Sequence, residues 1–416
     1  MQNVHFDPMD SKALSEILGL TIKKDDANKL TTFLCQLSAY SEDDQFNLSF
    51  NAPSSTGKSY IPTEIAKLFP PEDVLQIGYC SPTAFFHDVG KLDKDKGGYV
   101  IDLSRKILIF LDQPHNQLLA HLRPLFSHDQ KELQIKITDK AQKGNMRTKN
   151  VIIKGFPAAV YCSAGLRIDE QESTRFILLS PEIDQEKIRF SIEEKIKKEV
   201  DHESYKIALE GNADRRMLKE RILAIREAHI TEIKVPDSKI IQDAFFSRRR
   251  VLKPRHQRDI GRLISIIKAF TLLNFWHRER DGDTIIANHD DIQEALAIFG
   301  VISESQEYNL PPYIYDLYQE VIVPAWEDGM SVLPPQLRFG ITRQEILKKH
   351  FEVNGKMLDD CQLRQQVIPM LESSGLITQE QSPTDKRQRL IRITEQIIKV
   401  EAENNSESHG GGESTT

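Results

Sequence analysis

Cysteine is scarce in this sequence. Its 416 residues hold four, at positions 35, 80, 162 and 361, and none stands at metal-ligand spacing from another cysteine or a histidine. That excludes a zinc-stapled or disulfide-stapled architecture and fits thiols in a reducing compartment. Long apolar runs are also lacking. Segments such as Ile107 to Leu111 fall far short of the roughly 20 residues a helix needs to cross a bilayer, so no membrane partner is expected. The N-terminus, Met-Gln-Asn-Val-His-Phe-Asp-Pro, has no basic start followed by an apolar stretch, so no secretory signal is expected and the expected location is the cytoplasm. A basic excess is missing too: the net charge of −7 argues against a positively coated protein but leaves room for a local basic groove or pore.

Apolar residues make up 39% and charged residues 28%, a balance that lets a soluble chain bury a core, and the length suffices for two or three domains. Residues 1–45 read as short amphipathic helices, with Leu14, Ile17 and Leu18 on one face and Leu30, Phe33 and Leu34 on another. Apolar segments recur at 46–50, 74–78, 107–111, 151–154, 158–162 and 176–180, several separated by helical patterns. This predicts an α/β core over 46–182 with a largely parallel sheet. A charged helical insert is expected over 183–236, a helical region over 237–300 and a Pro-rich irregular linker over 301–340. A compact unit over 341–397 and a low-complexity, disordered tail over 398–416 complete the chain.

The strongest motif is Ala52-Pro53-Ser54-Ser55-Thr56-Gly57-Lys58-Ser59, which follows the apolar run Phe46 to Phe50 and precedes a helical pattern from Tyr60 to Phe69. Strand, loop and helix in this order are the context a P-loop requires. The loop presents successive backbone N–H groups to phosphate oxygens, and the helix adds its positive end. The motif predicts ATP on residues 53–59, with Lys58 reaching the β- and γ-phosphates and the Ser59 hydroxyl on Mg²⁺. Ala52 stands where the motif usually has its first glycine, which a negative φ tolerates. The run Lys106 to Leu111 ends at Asp112, as a strand would whose acid completes the magnesium shell. Gln113 follows, where a glutamate would polarise the attacking water. An amide orients a water but takes no proton, so hydrolysis is expected to be slow or to use another base, with Glu132 and Asp139 near in sequence.

The stretch from 131 to 154 reads as strand, basic tip, strand, with Lys140, Lys143, Arg147 and Lys149 around the tip. By itself it is a solvated hairpin. Together with the P-loop and Asp112, however, it resembles the segment around the pre-sensor-1 hairpin of minichromosome-maintenance (MCM) type AAA+ helicases and their relatives on mobile elements. The resemblance spans about residues 46–300 in order, with a gap for the charged insert. It implies a ring, a homo-hexamer or another closed form, with ATP between subunits and the hairpin on DNA phosphates in the channel, where basic groups displace counterions. It further implies that Ser163, ending the run Ala158 to Ser163, takes the sensor-1 position, usually Asn. Arg175, within Glu172-Ser173-Thr174-Arg175-Phe176, becomes the arginine finger acting on the neighbour's γ-phosphate. Arg258, opening the run to Phe270, falls on the sensor-2 arginine of a helical lid, with Arg248, Arg249, Arg250 and Arg255 as alternatives. Asn288 can cap a helix that ends at Gly300.

Residues 341–397 fit a winged helix, with helices Thr342 to His350 and Cys361 to Ser373, strands near 376–378 and 390–393, and a basic loop Asp385-Lys386-Arg387-Gln388-Arg389 for DNA or for a protein partner. The leading expectation is a ring-forming ATPase that translocates on or remodels DNA. The alternative is an ATP-gated assembly module with weak hydrolysis that recruits a nuclease, transposase or primase, in replication, transposition or defence. A small-substrate kinase would leave the sensor and lid elements without a role.

Overall fold

Short, mostly apolar strands build the centre of the structure, a computed structural model that describes residues 6–81, 84–87, 91–93, 95–139, 147–163, 175–247, 249, 252–332 and 339–394. The remaining residues, including Lys140, Lys143, Arg248, Arg250, Glu172 to Thr174 and the tail, lie outside the described set. The chain divides into two compact units, Met1–Ser303 and Glu304–Thr416.

The first unit opens with helices α1 (Ser11–Leu18) and α2 (Asp26–Ser38), then runs β1 (Leu48–Asn51), α3 (Tyr60–Ala66), β2 (Val74–Ile77), α4 (Ala84–His87), β3 (Lys91–Asp93) and β4 (Gly98–Asp102). It continues through β5 (Ile107–Phe110), α5 (Asn116–Phe126), β6 (Glu132–Asp139), β7 (Arg147–Lys154), β8 (Ala158–Ser163) and β9 (Ile177–Leu179). The central sheet has the order β2-β5-β8-β1-β9, with every neighbouring pair parallel. This is the expected α/β architecture. β1, β5, β8 and β9 are buried throughout, which is why they read as largely apolar segments. Along β5 and β8 successive side chains enter different cores: Ile107, Ile109 and Val160 join one, and Leu108, Phe110 and Tyr161 the other.

A second sheet, β3-β4-β7-β6, stands apart from the first. β6 and β7 pair antiparallel from Glu132↔Lys154 to Asp139↔Arg147, so the expected hairpin is present and its tip lies outside the described residues. The partners β3 and β4 were not expected from the sequence. Their signal is weak, a three-residue strand and a turn through Asp95, Lys96 and Gly97, which has φ 63°.

After β9 come α6 (Gln185–Val200), α7 (His202–Gly211), α8 (Ala213–Ala228), β10 (Glu232–Lys234), α9 (Ser238–Ser247), α10 (His256–Leu273), β11 (Glu279–Asp281), β12 (Thr284–Ile286) and α11 (His289–Gln306). Leu14, Phe33, Leu218, Ile222, Leu263, Ile267, Ile292 and Ile298 share one core with β1 and β8. The N-terminal helices, α8 and the 237–300 region therefore pack on the α/β core as one body. Asn288 caps α11, its Oδ1 accepting from the Asp291 N–H at 3.0 Å, as expected. The helix does not end at Gly300. It runs on to Gln306 because burial of Phe299 and Ile302 outweighs the weak helix preference of one glycine.

One buried carboxylate ties α8 to the sheet. Asp73 accepts from Arg226 Nε at 2.6 Å and from the Tyr40 hydroxyl at 3.0 Å, with Lys106 at 3.3 Å. Burial works against its charge, but these donors outweigh it and hold its carboxyl below the usual range. Replacing Asp73 by alanine leaves Arg226 and Tyr40 without their acceptor and is expected to cost about 3 kcal/mol. Because the folded pKa is depressed, this contribution is full above the unfolded value of about 4 and lost as pH falls through the folded one. Urea unfolding should therefore separate parent from Asp73→Ala clearly at neutral pH and far less in strong acid.

Within the stretch expected as an irregular linker, residues 312–332 of the second unit are helical. α12 (Pro312–Leu317), a widened helical turn over Tyr318–Ile322 and α13 (Val323–Val332) follow in succession, with Ile314, Tyr318, Val321 and Ile322 buried. α14 (Arg343–Asn354) starts from a capping box between Thr342 and Glu345. α15 (Asp360–Gln362), a turn over Leu363–Val367 and α16 (Ile368–Ser373) form one helical stretch that buries Leu363, Val367 and Leu371. β13 (Ile377–Gln381) and β14 (Arg389–Ile393) close the unit as an antiparallel hairpin whose loop exposes Lys386 and Arg387, with Arg389 exposed at the start of β14.

Candidate active site

Three loops meet at the carboxyl edge of the central sheet, where ligands of open parallel sheets bind. The first joins β1 to α3. Ala52 is buried and keeps a negative φ, so its methyl group is accommodated. Ser55 (φ 67°) and Gly57 (φ 93°) are left-handed, and alternation of handedness makes a concave nest of N–H groups. The Thr56 hydroxyl donates to the Pro53 carbonyl at 2.9 Å, and Lys58 Nζ bends back to the same oxygen at 3.4 Å. Among the described residues, the amides of Ser54, Ser55, Gly57, Lys58 and Ser59 make no hydrogen bond within the chain, while a turn over Ser54–Ser55 aims the Thr56 N–H at the Pro53 carbonyl. This is a donor set for an anion with several oxygens.

The other two loops follow β5 and β8. Asp112 lies two residues beyond β5, is exposed, and accepts from the Gln113 N–H at 2.8 Å. The Ser163 hydroxyl, ending β8, donates to Gln113 Oε1 at 2.9 Å. β8 lies between β1 and β5, so Ser163 stands between the cradle and the acid. Cys162 donates to the Lys58 carbonyl at 3.5 Å, and burial pushes its thiol up to about 12, lowered by Lys58 and raised by Asp112. It stays protonated and supplies no nucleophile. The Ser59 hydroxyl with the Asp112 carboxylate suits magnesium, a hard cation that accepts few protein oxygens and fills its shell with phosphate and water. Of the proposed other bases, Glu132 pairs with Lys96, and Glu132 and Asp139 both stand on the second sheet rather than at this edge.

Arg175 is not in this cluster. It precedes β9, whose Ile177 is level with Leu48, so it stands near the amino edge, roughly 20 Å down the strand direction from Ala52. Its Nε donates to Ser127 Oγ at 2.8 Å. No arginine side chain covers that span, so within one chain Arg175 cannot touch a phosphate on Lys58. Arg258 is exposed in the first turn of α10. The alternative Arg255 is buried against Asp259 at 2.9 Å, and Arg262 meets the same carboxylate at 2.8 Å. Burial draws the Arg262 pKa down to about 10. Arg249 donates to the Phe245 carbonyl at 2.7 Å and lies over that residue's ring.

Of the hairpin cations, Lys149 Nζ lies 3.5 Å from the centre of the Tyr99 ring. Arg147 is the first paired residue after the tip. Tyr99, on β4, was missed in the sequence because nothing local marks β4 as the partner of β7.

A cavity of about 490 Å³ opens beside the cradle, lined by Ile22, Ser55, Gly57, Tyr60, Ile188 and Ile192 among others. Its volume is in the range of small-molecule sites. The insert thus forms one wall, which the sequence did not reveal. Among the described residues, no helix is long and apolar enough to cross a membrane.

No protein-family model and no curated protein sequence matches the chain. Among solved structures, it is similar to an active helicase, the Cch protein of SCCmec type IV. That likeness has a TM-score of 0.35 and 10% identity, over 94% of this chain and 72% of the other. It is also similar to the apo C-terminal region of NrS-1, with a TM-score of 0.25 and 10% identity, over 94% of this chain and 77% of the other. At these scores neither likeness carries a functional argument.

Proposed function

We propose that the chain is an ATPase of the MCM-like AAA+ kind that works on DNA as a ring of copies. The observation that carries this reading is the cradle: five amides with no hydrogen bond among the described residues, together with Lys58, at the same strand edge as Asp112, Gln113 and Ser163. In this reading the amides of residues 54–59 and Lys58 hold the β- and γ-phosphates. Ser59 and Asp112 hold Mg²⁺, which when bound offsets the charge that develops on the phosphoryl oxygens. Gln113, oriented by Ser163, positions the lytic water, and Arg258 senses the γ-phosphate. The Arg175 that meets the γ-phosphate comes from the adjacent copy, since the chain's own lies at the far edge. The β6–β7 hairpin, with Lys140, Lys143, Arg147 and Lys149, holds DNA phosphates, and the second unit acts as a winged helix.

A second reading has one observation in its favour. The Ser163 hydroxyl points at Gln113 Oε1, and an amide takes no proton, so the chain is also suited to bind ATP, assemble and recruit a partner with little turnover. Steady-state hydrolysis with and without single-stranded DNA separates the two. DNA-stimulated turnover by the parent supports the motor, and its absence in a protein that binds ATP contradicts it. Gln113→Glu supplies a general base and is expected to raise kcat by about 10-fold or more, short of the full general-base effect because Ser163 was placed for an amide. An unchanged or lower kcat would place the base elsewhere.

A further inference from the structure

α6 and α7 stand out in the first unit because they bury almost nothing. Lys187 is the one buried residue of α6, and α7 has none. Yet α6 is not polar all round. Ile188, Ile192, Ile196 and Val200 recur every four residues, 39, 54, 55 and 80% exposed. Ile183, before α6, and Ile207, on α7, add 49 and 65% exposure. Together they offer on the order of 600 Å² of apolar surface, most of the roughly 800 Å² that each partner brings to a standard interface.

The root of this arm is fixed. The Lys187 ammonium meets the buried Asp25 carboxylate and donates to the Glu182 carbonyl at 2.7 Å. Asp25 Oδ1 accepts from Asn28 at 2.9 Å and from the Glu182 N–H at 2.8 Å. Two turns on, Glu194 meets Lys23 at 3.3 Å. The arm therefore holds Ile188 and Ile192 at the wall of the cavity whose other side is Ser55 to Gly57.

We infer that the α6–α7 arm is the docking surface for a second copy of this chain, seated by the flank that carries Arg175 and Ser127. The inference rests on the reading of the Lys58 loop as a nucleotide cradle. That cradle is incomplete in one copy, because Arg175 stands at the opposite edge of the sheet. A copy that completes it must lie across the cradle's open flank, and the arm forms that flank. The contact joins different surfaces of the two copies, so it repeats head to tail and closes into a ring where the rotation between copies allows. Nucleic acid is a poorer occupant. The isoleucines offer no donors to phosphate, and Glu186, Glu193, Glu194 and Glu199 offset the basic residues of α6.

The test is sedimentation velocity of the full chain with a non-hydrolysable ATP analogue and Mg²⁺, parent against Ile196→Ser/Val200→Ser. Both residues are exposed and outside the cavity lining, so nucleotide affinity and thermal unfolding should match the parent. Assembly of the variant should require at least about 10-fold more protein. Assembly at the parent's concentration would overturn the inference, as would loss of single-stranded DNA binding with assembly intact. A parent that binds no nucleotide but still assembles through Ile196 and Val200 would sink the cradle reading and leave the docking surface standing. A parent that binds nucleotide and assembles regardless of these two residues would do the reverse.

Discussion

Lys58→Ala is expected to weaken ATP-Mg binding by about 100-fold or more and to abolish turnover. The ammonium is held over the loop by the Pro53 carbonyl at 3.4 Å, long for a hydrogen bond and easily exchanged for phosphate oxygens. A charge-assisted contact contributes about 1.5–3 kcal/mol, and Lys58 is placed for two phosphates. The amides of residues 54–59 remain in the variant, so residual binding should persist with a weaker salt dependence. Titration of a fluorescent ATP analogue measures the effect. Circular dichroism should match the parent, because Lys58 contributes no buried contact to either core.

Arg175→Ala should do the opposite: leave the Kd for nucleotide near the parent value and lower kcat by about 10³-fold. A guanidinium delivered in trans acts on charge that develops as the γ-phosphoryl leaves, so its loss appears in turnover rather than in binding. Its contact with Ser127 is partly buried, and losing it is expected to cost about 1 kcal/mol of stability at most. A fall in kcat together with an unchanged melting temperature excludes a merely structural role. Arg175→Lys keeps the charge but not the planar fork and should restore only a small part of the rate.

How much of this was legible in the sequence depended on how local each feature is. The central strands could be read because parallel strands buried on both faces leave continuous apolar runs, and the cradle because its spacing is contiguous. The helices over 312–332 are hidden in the sequence because prolines read as breakers. Pro312 opens its helix, where the missing N–H has no intrahelical role, and Pro324 follows the widened turn over Tyr318–Ile322 inside one continuous helical run. β3 and β4 were missed because short strands beside glycines give no periodicity to count. Of the site, the sequence supplied the residues but not their grouping. The Ser163–Gln113 bond spans 50 residues, Arg175–Ser127 spans 48, and the Asp25–Lys187 pair joins α2 to α6. β8 and β9 both flank β1, but Ser163 ends its strand and Arg175 precedes its own, so only Ser163 joins the cradle. The sequence likewise does not show that Arg255 is buried against Asp259 while Arg258 is exposed.

Mixing two inactive variants tests the central claim most directly. Lys58→Ala subunits keep Arg175, and Arg175→Ala subunits keep Lys58, so each lacks one half of a shared site. If ATP lies on one copy's cradle and meets the arginine of the next, mixed assemblies contain junctions with both halves intact, and hydrolysis should reappear, peaking near equal proportions. Hydrolysis that stays at background at every ratio, with mixed assembly confirmed, would contradict the account.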